Sequence, residues 1–177
     1  MVRVATVALG LTVVLYGSGQ AAVRFANPPE LVSSSGVLSG TLAIQPAELR
    51  VAGKRVRFRG LYDGLYMPPV LRVQPGDTVR LAVQNGGSLP TNVHYHGLNV
   101  SPLGAGDNVF IEIDPTTTFQ YDMPIPSDHP VGLFWYHPHF HPRVNTEIAG
   151  CLSGGMIVGN ILAPFPELAG SPNASSC

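Results

Sequence analysis

From Gly40 onward the apolar positions fall in short runs separated by turn residues: Thr41–Ile44, Leu49–Val51, Arg55–Arg59, Val70–Val73, Thr78–Gln84, Asn108–Ile113, Thr118–Met123, Gly132–His137 and Gly155–Gly159. In Thr78–Gln84 the residues Val79, Leu81 and Val83 take every second position, the period of a strand with one buried face. Pro75-Gly76-Asp77 just before it supplies a turn, since proline fixes φ and glycine accepts positive φ. Short strands at this spacing predict an all-β sandwich or barrel. One short helix is predicted over Arg143–Ala149, ended by Gly150.

The flanks read differently. Val23–Ser39 has no clear period and is expected as an extended segment on the surface, while Leu162–Cys177 is rich in Pro, Ala and Ser and reads as a linker-like tail. Met1-Val2-Arg3, the apolar stretch Val4–Tyr16 and the small residues Gly17 to Ala22 form the pattern of an export signal peptide over 1–22, cut after Ala21 or Ala22. The apolar stretch is well short of the roughly 20 residues a spanning helix needs. The expected organisation is therefore a signal peptide (1–22), an extended segment (23–39), one domain (40–161) and a tail (162–177), exported to a periplasmic or secreted location without a membrane span.

Composition adds little that contradicts this. The chain has 177 residues, room for one sizeable core after processing, and 10 Lys+Arg against 11 Asp+Glu, so its charge predicts neither a nucleic-acid nor an anionic-membrane partner. Twenty glycines and 17 prolines favour turns and strands over long solvated helices. The two cysteines, Cys151 and Cys177, allow one bridge at most and form no CxxC metal site.

The histidines change the picture. Five of six lie in Thr91-Asn92-Val93-His94-Tyr95-His96-Gly97 and Phe134-Trp135-Tyr136-His137-Pro138-His139-Phe140-His141. Residues i and i+2 of a strand project to one face about 6.5 Å apart, so each HxH pair presents two imidazoles side by side. Two such pairs on neighbouring strands bring four nitrogens to one metal or two adjacent metals, and an all-imidazole set favours copper or zinc. Chance placement is a poor alternative, because four converging imidazoles are costly to bury without a partner. His129, alone between Asp128 and Pro130, is expected to be a surface or hydrogen-bonded core residue instead.

Other metal families lack their ligands here. A cupin places Glu four or five positions after its HxH pair, where Val100 and Ser101 stand; the HxHxDH pattern of metallo-β-lactamases meets Leu98 and Asn99, or His141 and Pro142. A mononuclear blue-copper loop needs a histidine between or just after Cys151 and Met156, and none is there, so Cys151 is expected as a buried small residue and Met156 as core.

His94-Tyr95-His96-Gly97-Leu98 resembles the HxHG motif, and Trp135-Tyr136-His137-Pro138-His139 the WYHxH motif, of the N-terminal domain of multicopper oxidases such as laccases and bacterial copper oxidases. The resemblance runs from about Gly60 to Gly159 and includes Leu65-Tyr66-Met67-Pro68-Pro69. It implies a cupredoxin-like Greek-key β-sandwich. It also implies that His94 binds a type 2 copper and His96, His137 and His139 a type 3 pair, half the ligands of a trinuclear cluster that reduces dioxygen with electrons from a reductant the sequence does not identify. His141 would stand behind the ligands. Asp107 stands where laccase-like sequences place an acid linked by water to the cluster, which suggests a proton relay; a solvent-exposed turn aspartate beside Gly106 is the alternative.

The family's last domain supplies the other four ligands and an HCH segment whose cysteine binds the type 1 copper. Here Pro138 separates the two histidines, and no thiolate relay exists. The expectation is a partial multicopper oxidase needing further cupredoxin domains in cis or trans; the alternatives are an exported copper-binding module without oxidase activity or a subunit of a split oxidase. Copper binding is expected to weaken as pH falls through roughly 6 to 7, where protons compete for imidazole nitrogen.

Overall fold

The computed structural model describes residues 27–168, so the signal-peptide expectation and most of the tail lie outside the described residues. Nine strands form two sheets: β1 (Glu30–Val32), β2 (Val37–Val51), β3 (Lys54–Tyr62), β4 (Val70–Val73), β5 (Thr78–Asn85), β6 (His94–His96), β7 (Thr118–Pro124), β8 (Gly132–His137) and β9 (Gly154–Val158). A single α-helix, α1 (Val144–Ala149), and a turn of 3-10 helix over Pro166–Leu168 complete the described elements. One sheet has the order β1-β4-β9-β8-β6 and the other β3-β2-β5-β7.

The all-β expectation holds, and the alternation that predicted it builds the core. Val79, Leu81 and Val83 of β5 are fully buried beside Leu38 and Leu42 of β2 and Tyr121 and Met123 of β7. They meet Leu71 and Val73 of β4, Tyr136 of β8 and Met156 and Val158 of β9, so that one apolar layer joins the two sheets. Fully burying each such side chain contributes roughly 1.5–3 kcal/mol. The turn ahead of β5 works as read: Gly76 has φ +92°, and a buried Asp77 carboxylate accepts the Gln74 N–H at 2.7 Å and the Ser33 hydroxyl at 2.5 Å.

Several expectations need correction. Asn108–Ile113 is not a strand; Asn108 Oδ1 accepts the Phe110 N–H, Ile111 N–H reaches Asn108 O, and only Ile113 bridges to Thr91. Asn108 is a good strand breaker because its side chain offers the backbone a turn instead of a ladder. The two runs Thr41–Ile44 and Leu49–Val51 belong to the one strand β2, whose register shifts between Gln45 and Ala47. Pro46, which has no N–H to give, sits in that irregularity. Val23–Ser39 is not wholly a surface segment: β1 pairs in parallel with β4, β2 begins at Val37, and Leu38 is fully buried.

Candidate metal centre

Strand β6 is the outermost strand of its sheet and carries His94 and His96 on one side. It pairs antiparallel with β8 so that His94 stands opposite His137 and His96 opposite Trp135. Inward-pointing Tyr95 and Tyr136 are fully buried on the other side, anchoring both strands to the core. The Tyr136 hydroxyl donates to Pro69 O at 2.7 Å, and the Tyr121 oxygen accepts the Val93 N–H at 2.9 Å, which fixes the start of β6. Burial pushes these phenols upward in pKa, so they remain neutral packing groups.

Four rings gather at this edge. The His94 ring centre lies 5.5 Å from that of His96, 5.3 Å from His137 and 5.2 Å from His139. Ring nitrogens of His94, His96 and His137 lie within 4.8 Å of one another, and His96 Nδ1 stands 3.3 Å from His137 Nε2. His139 is not on the strand, as two paired strands alone would have placed it. Pro138 follows the last residue of β8, and His139 is held by Asn92, whose Oδ1 accepts the His139 N–H at 2.7 Å.

Hydrogen-bond partners set the tautomers. His137 Nδ1 faces the Pro138 carbonyl oxygen at 2.8 Å, an acceptor only, so Nδ1 carries the proton and Nε2 the lone pair. His94 Nδ1 lies 3.0 Å from Asp107 Oδ1, which likewise leaves His94 Nε2 as the free donor atom. Burial lowers the His137 pKa; the hydrogen bond to Pro138 opposes this, while His94, His96 and His139 add to it. His137 therefore favours the neutral form that ligates metal.

Asp107 is not an exposed turn residue. Its Oδ1 accepts the Tyr95 N–H at 2.9 Å and also faces His94 Nδ1 at 3.0 Å. The neighbouring Gly106 makes this approach feasible, since a Cβ there would collide with Ser101 O. Asn92, quoted in the motif but given no role from sequence, is fully buried and also donates to Val109 O and Ile111 O. Its adjacency to the first HxH pair was the available signal. Trp135 stacks on His137 at 4.0 Å between ring centres and lies 5.1 Å from His96.

The remaining candidates fall outside the three-histidine group. His141 is exposed, 5.3 Å from the His139 ring. His129 is buried away from the cluster, with Nε2 accepting the Asn99 N–H and Nδ1 donating to Pro130 O, both at 2.9 Å, as the core alternative predicted. Met156 is core, whereas Cys151 is half-buried rather than buried.

The arrangement fits a metal. Two nitrogens each about 2.0–2.1 Å from one ion can stand at most about 4 Å apart, and the His96–His137 separation of 3.3 Å lies inside that limit. His139 Nδ1, buried with no hydrogen-bond partner among the described residues, is a further polar atom without a use in the metal-free fold. The family model for multicopper oxidases matches residues 43–160. The chain belongs to the multicopper oxidase family. Membership makes copper the metal to which these imidazoles are fitted.

Relatives within this family agree. The chain is 33% identical over 108 residues to Copper resistance protein A of Pseudomonas syringae pv. tomato, covering 58% of this chain and 17% of that protein. It is 29% identical over 107 residues to Multicopper oxidase MmcO of Mycobacterium tuberculosis, covering 60% and 20%. A solved multicopper oxidase from Campylobacter jejuni, described as a metallo-oxidase, superimposes with a TM-score of 0.68 at 27% identity over 76% of this chain and 29% of that one. The fold is thus the cupredoxin-like β-sandwich of an N-terminal multicopper oxidase region. This chain spans 17–20% of the length of these curated relatives.

Proposed function

We propose that this chain supplies half of a trinuclear copper cluster, His94 holding the type 2 copper and His96, His137 and His139 the type 3 pair. The observation that carries the reading is the joint arrangement of positions and tautomers. His94 and His137 each have Nδ1 committed to an oxygen acceptor and Nε2 left with its lone pair, and His96 Nδ1 stands beside His137 Nε2. Copper bound there would pass electrons from a reductant to dioxygen, reducing it to water, once further cupredoxin domains in cis or trans complete the ligand set and provide a type 1 site.

The chain's own residues prepare that chemistry. Asp107 holds the proton on His94 Nδ1 and fixes the ring, and because a carboxylate can exchange that proton it is also the candidate proton relay. Trp135 covers one face of His137 and limits water there. The Val4–Tyr16 leader pattern supports export, and among the described residues no helix is long and apolar enough to cross a membrane.

Copper titration of the purified chain followed by electron paramagnetic resonance tests the reading. Nitrogen-ligated copper that becomes magnetically coupled on adding an HCH-containing cupredoxin domain supports it. One isolated copper that no partner alters supports an exported copper-binding module instead, and absence of nitrogen-ligated copper even with that domain present refutes both.

A further inference from the structure

We infer that the outer edge of β3 and the cleft beside it dock an acidic, extended segment of a separate polypeptide, which joins the four-stranded sheet as a further strand. The inference goes beyond the copper reading and does not depend on it.

β3 stands at one end of the sheet order β3-β2-β5-β7 and pairs with β2 alone. Among the described residues, nothing hydrogen-bonds the opposite backbone edge over 54–60. Between residues 56–60 of that edge and the α1 segment lies a cleft of about 670 Å³. Its apolar walls come from Val56 and Phe58 of β3, Ile44 of β2, and Leu89 and Leu152. A free strand edge is a template for another strand, and an apolar trough beside it gives alternate side chains of that strand a place to be buried.

Charge selects the occupant. Arg50, Lys54, Arg55, Arg57 and Arg59 are half of the chain's 10 Lys+Arg, all are exposed on this one hairpin, and Glu48 is the acid among them. Arg55 and Arg57 share Glu48, at 3.1 and 3.0 Å, while Arg50 stands directly opposite Arg55 and Arg59 makes no ion pair among the described residues. Like charges opposite one another on a sheet are unfavourable, and an acidic strand relieves them through paired guanidinium–carboxylate hydrogen bonds. Within the cleft Arg57, Arg59 and Arg143 stand against one acid, Glu147, whose carboxyl is pushed up in pKa by burial, toward its neutral form. The same cations repel the β3 edge of a second copy, so the edge disfavours self-pairing. A guard against pairing alone would need no apolar trough. Along β3 the exposed Arg55, Arg57 and Arg59 alternate with the half-buried Val56 and Phe58, so the fitting segment alternates acidic with apolar residues.

Fluorescence anisotropy of a dye-labelled, acetylated and amidated peptide alternating Glu with Val, titrated with the full chain, tests this. Hydrogen exchange of the same mixture, read by mass spectrometry, locates the contact. Binding is expected at low salt, with amide protection rising over 54–60, and is expected to disappear near 1 M salt, where screening shortens to about 3 Å. Arg57→Glu combined with Arg59→Glu weakens it at least about tenfold; both positions are exposed, and urea unfolding of the variant checks that the fold is kept. A peptide with Pro at alternate Val positions keeps the charge but cannot pair as a strand, and it too binds at least about tenfold more weakly. No binding of the Glu-Val peptide at low salt overturns the inference. So does binding that the double arginine variant retains, or that the proline peptide matches. None of these outcomes bears on copper, which the titration above tests separately.

Discussion

Asn92 Oδ1 accepts the backbone N–H of His139 at 2.7 Å, joining the segment before one HxH pair to the last histidine of the other. The same amide donates to Val109 O and Ile111 O at 2.8 and 3.1 Å, so one buried side chain ties the loop beneath Asp107 to both histidine segments. Asn92→Ala strands these backbone groups in a buried site. The expected loss is on the order of 2–4 kcal/mol of folding stability, read from urea unfolding, together with weaker copper binding because His139 loses its tether. Unchanged stability would show that water takes over the role.

Trp135 is the one tryptophan of the chain, and its ring centre lies 4.0 Å from that of His137. Copper(II) bound at His96 and His137 should therefore quench most of the intrinsic tryptophan emission, whereas zinc, which is not redox-active, should not. His137→Ala should remove the copper effect. A fluorescence titration checks this, and copper binding without quenching would place the metal elsewhere.

His137 titrates below an ordinary imidazole because burial disfavours its cation. The unfolded chain then binds a proton that the folded chain does not, so the contribution of this residue to stability is fully present above about pH 6.5 and is lost as pH falls through the lower folded value. Metal-free protein should lose urea resistance across that window, and His137→Gln should flatten the loss. The same depression carries copper binding at His137 to lower pH than the range of roughly 6 to 7 expected for ordinary imidazoles.

Asp107→Asn keeps an oxygen for the Tyr95 N–H but removes the anion facing His94 Nδ1. Copper affinity should fall about 10- to 100-fold, the usual effect of losing a carboxylate behind a ligating histidine. In an enzyme completed with its other domains, oxygen reduction should also slow more than affinity explains and change its pH profile. Slower turnover without a changed profile would restrict Asp107 to orienting His94.

Local signals in the sequence were enough for the strands and the ligand types. Val79, Leu81 and Val83 alternate because one face of β5 meets the core, and Pro75-Gly76-Asp77 is a turn for reasons carried by those three residues alone. The first HxH pair likewise declares two imidazoles sharing a face, since a period of two is a property of the extended backbone itself; the second does not, because His139 lies beyond the end of β8. What the tertiary structure decided lies between segments far apart in the chain. The register that sets His94 opposite His137, the contact of Asp107 with His94 across a glycine-dependent loop, and the capture of His139 by Asn92 all depend on pairing and packing. Asn108–Ile113 shows the limit from the other side. Its apolar residues suit a strand, but side-chain hydrogen bonds from Asn108 and Asn92 take up backbone groups that a ladder would have used. Residue type and spacing determine which groups can bind copper; only the packed sheets determine that their nitrogens meet.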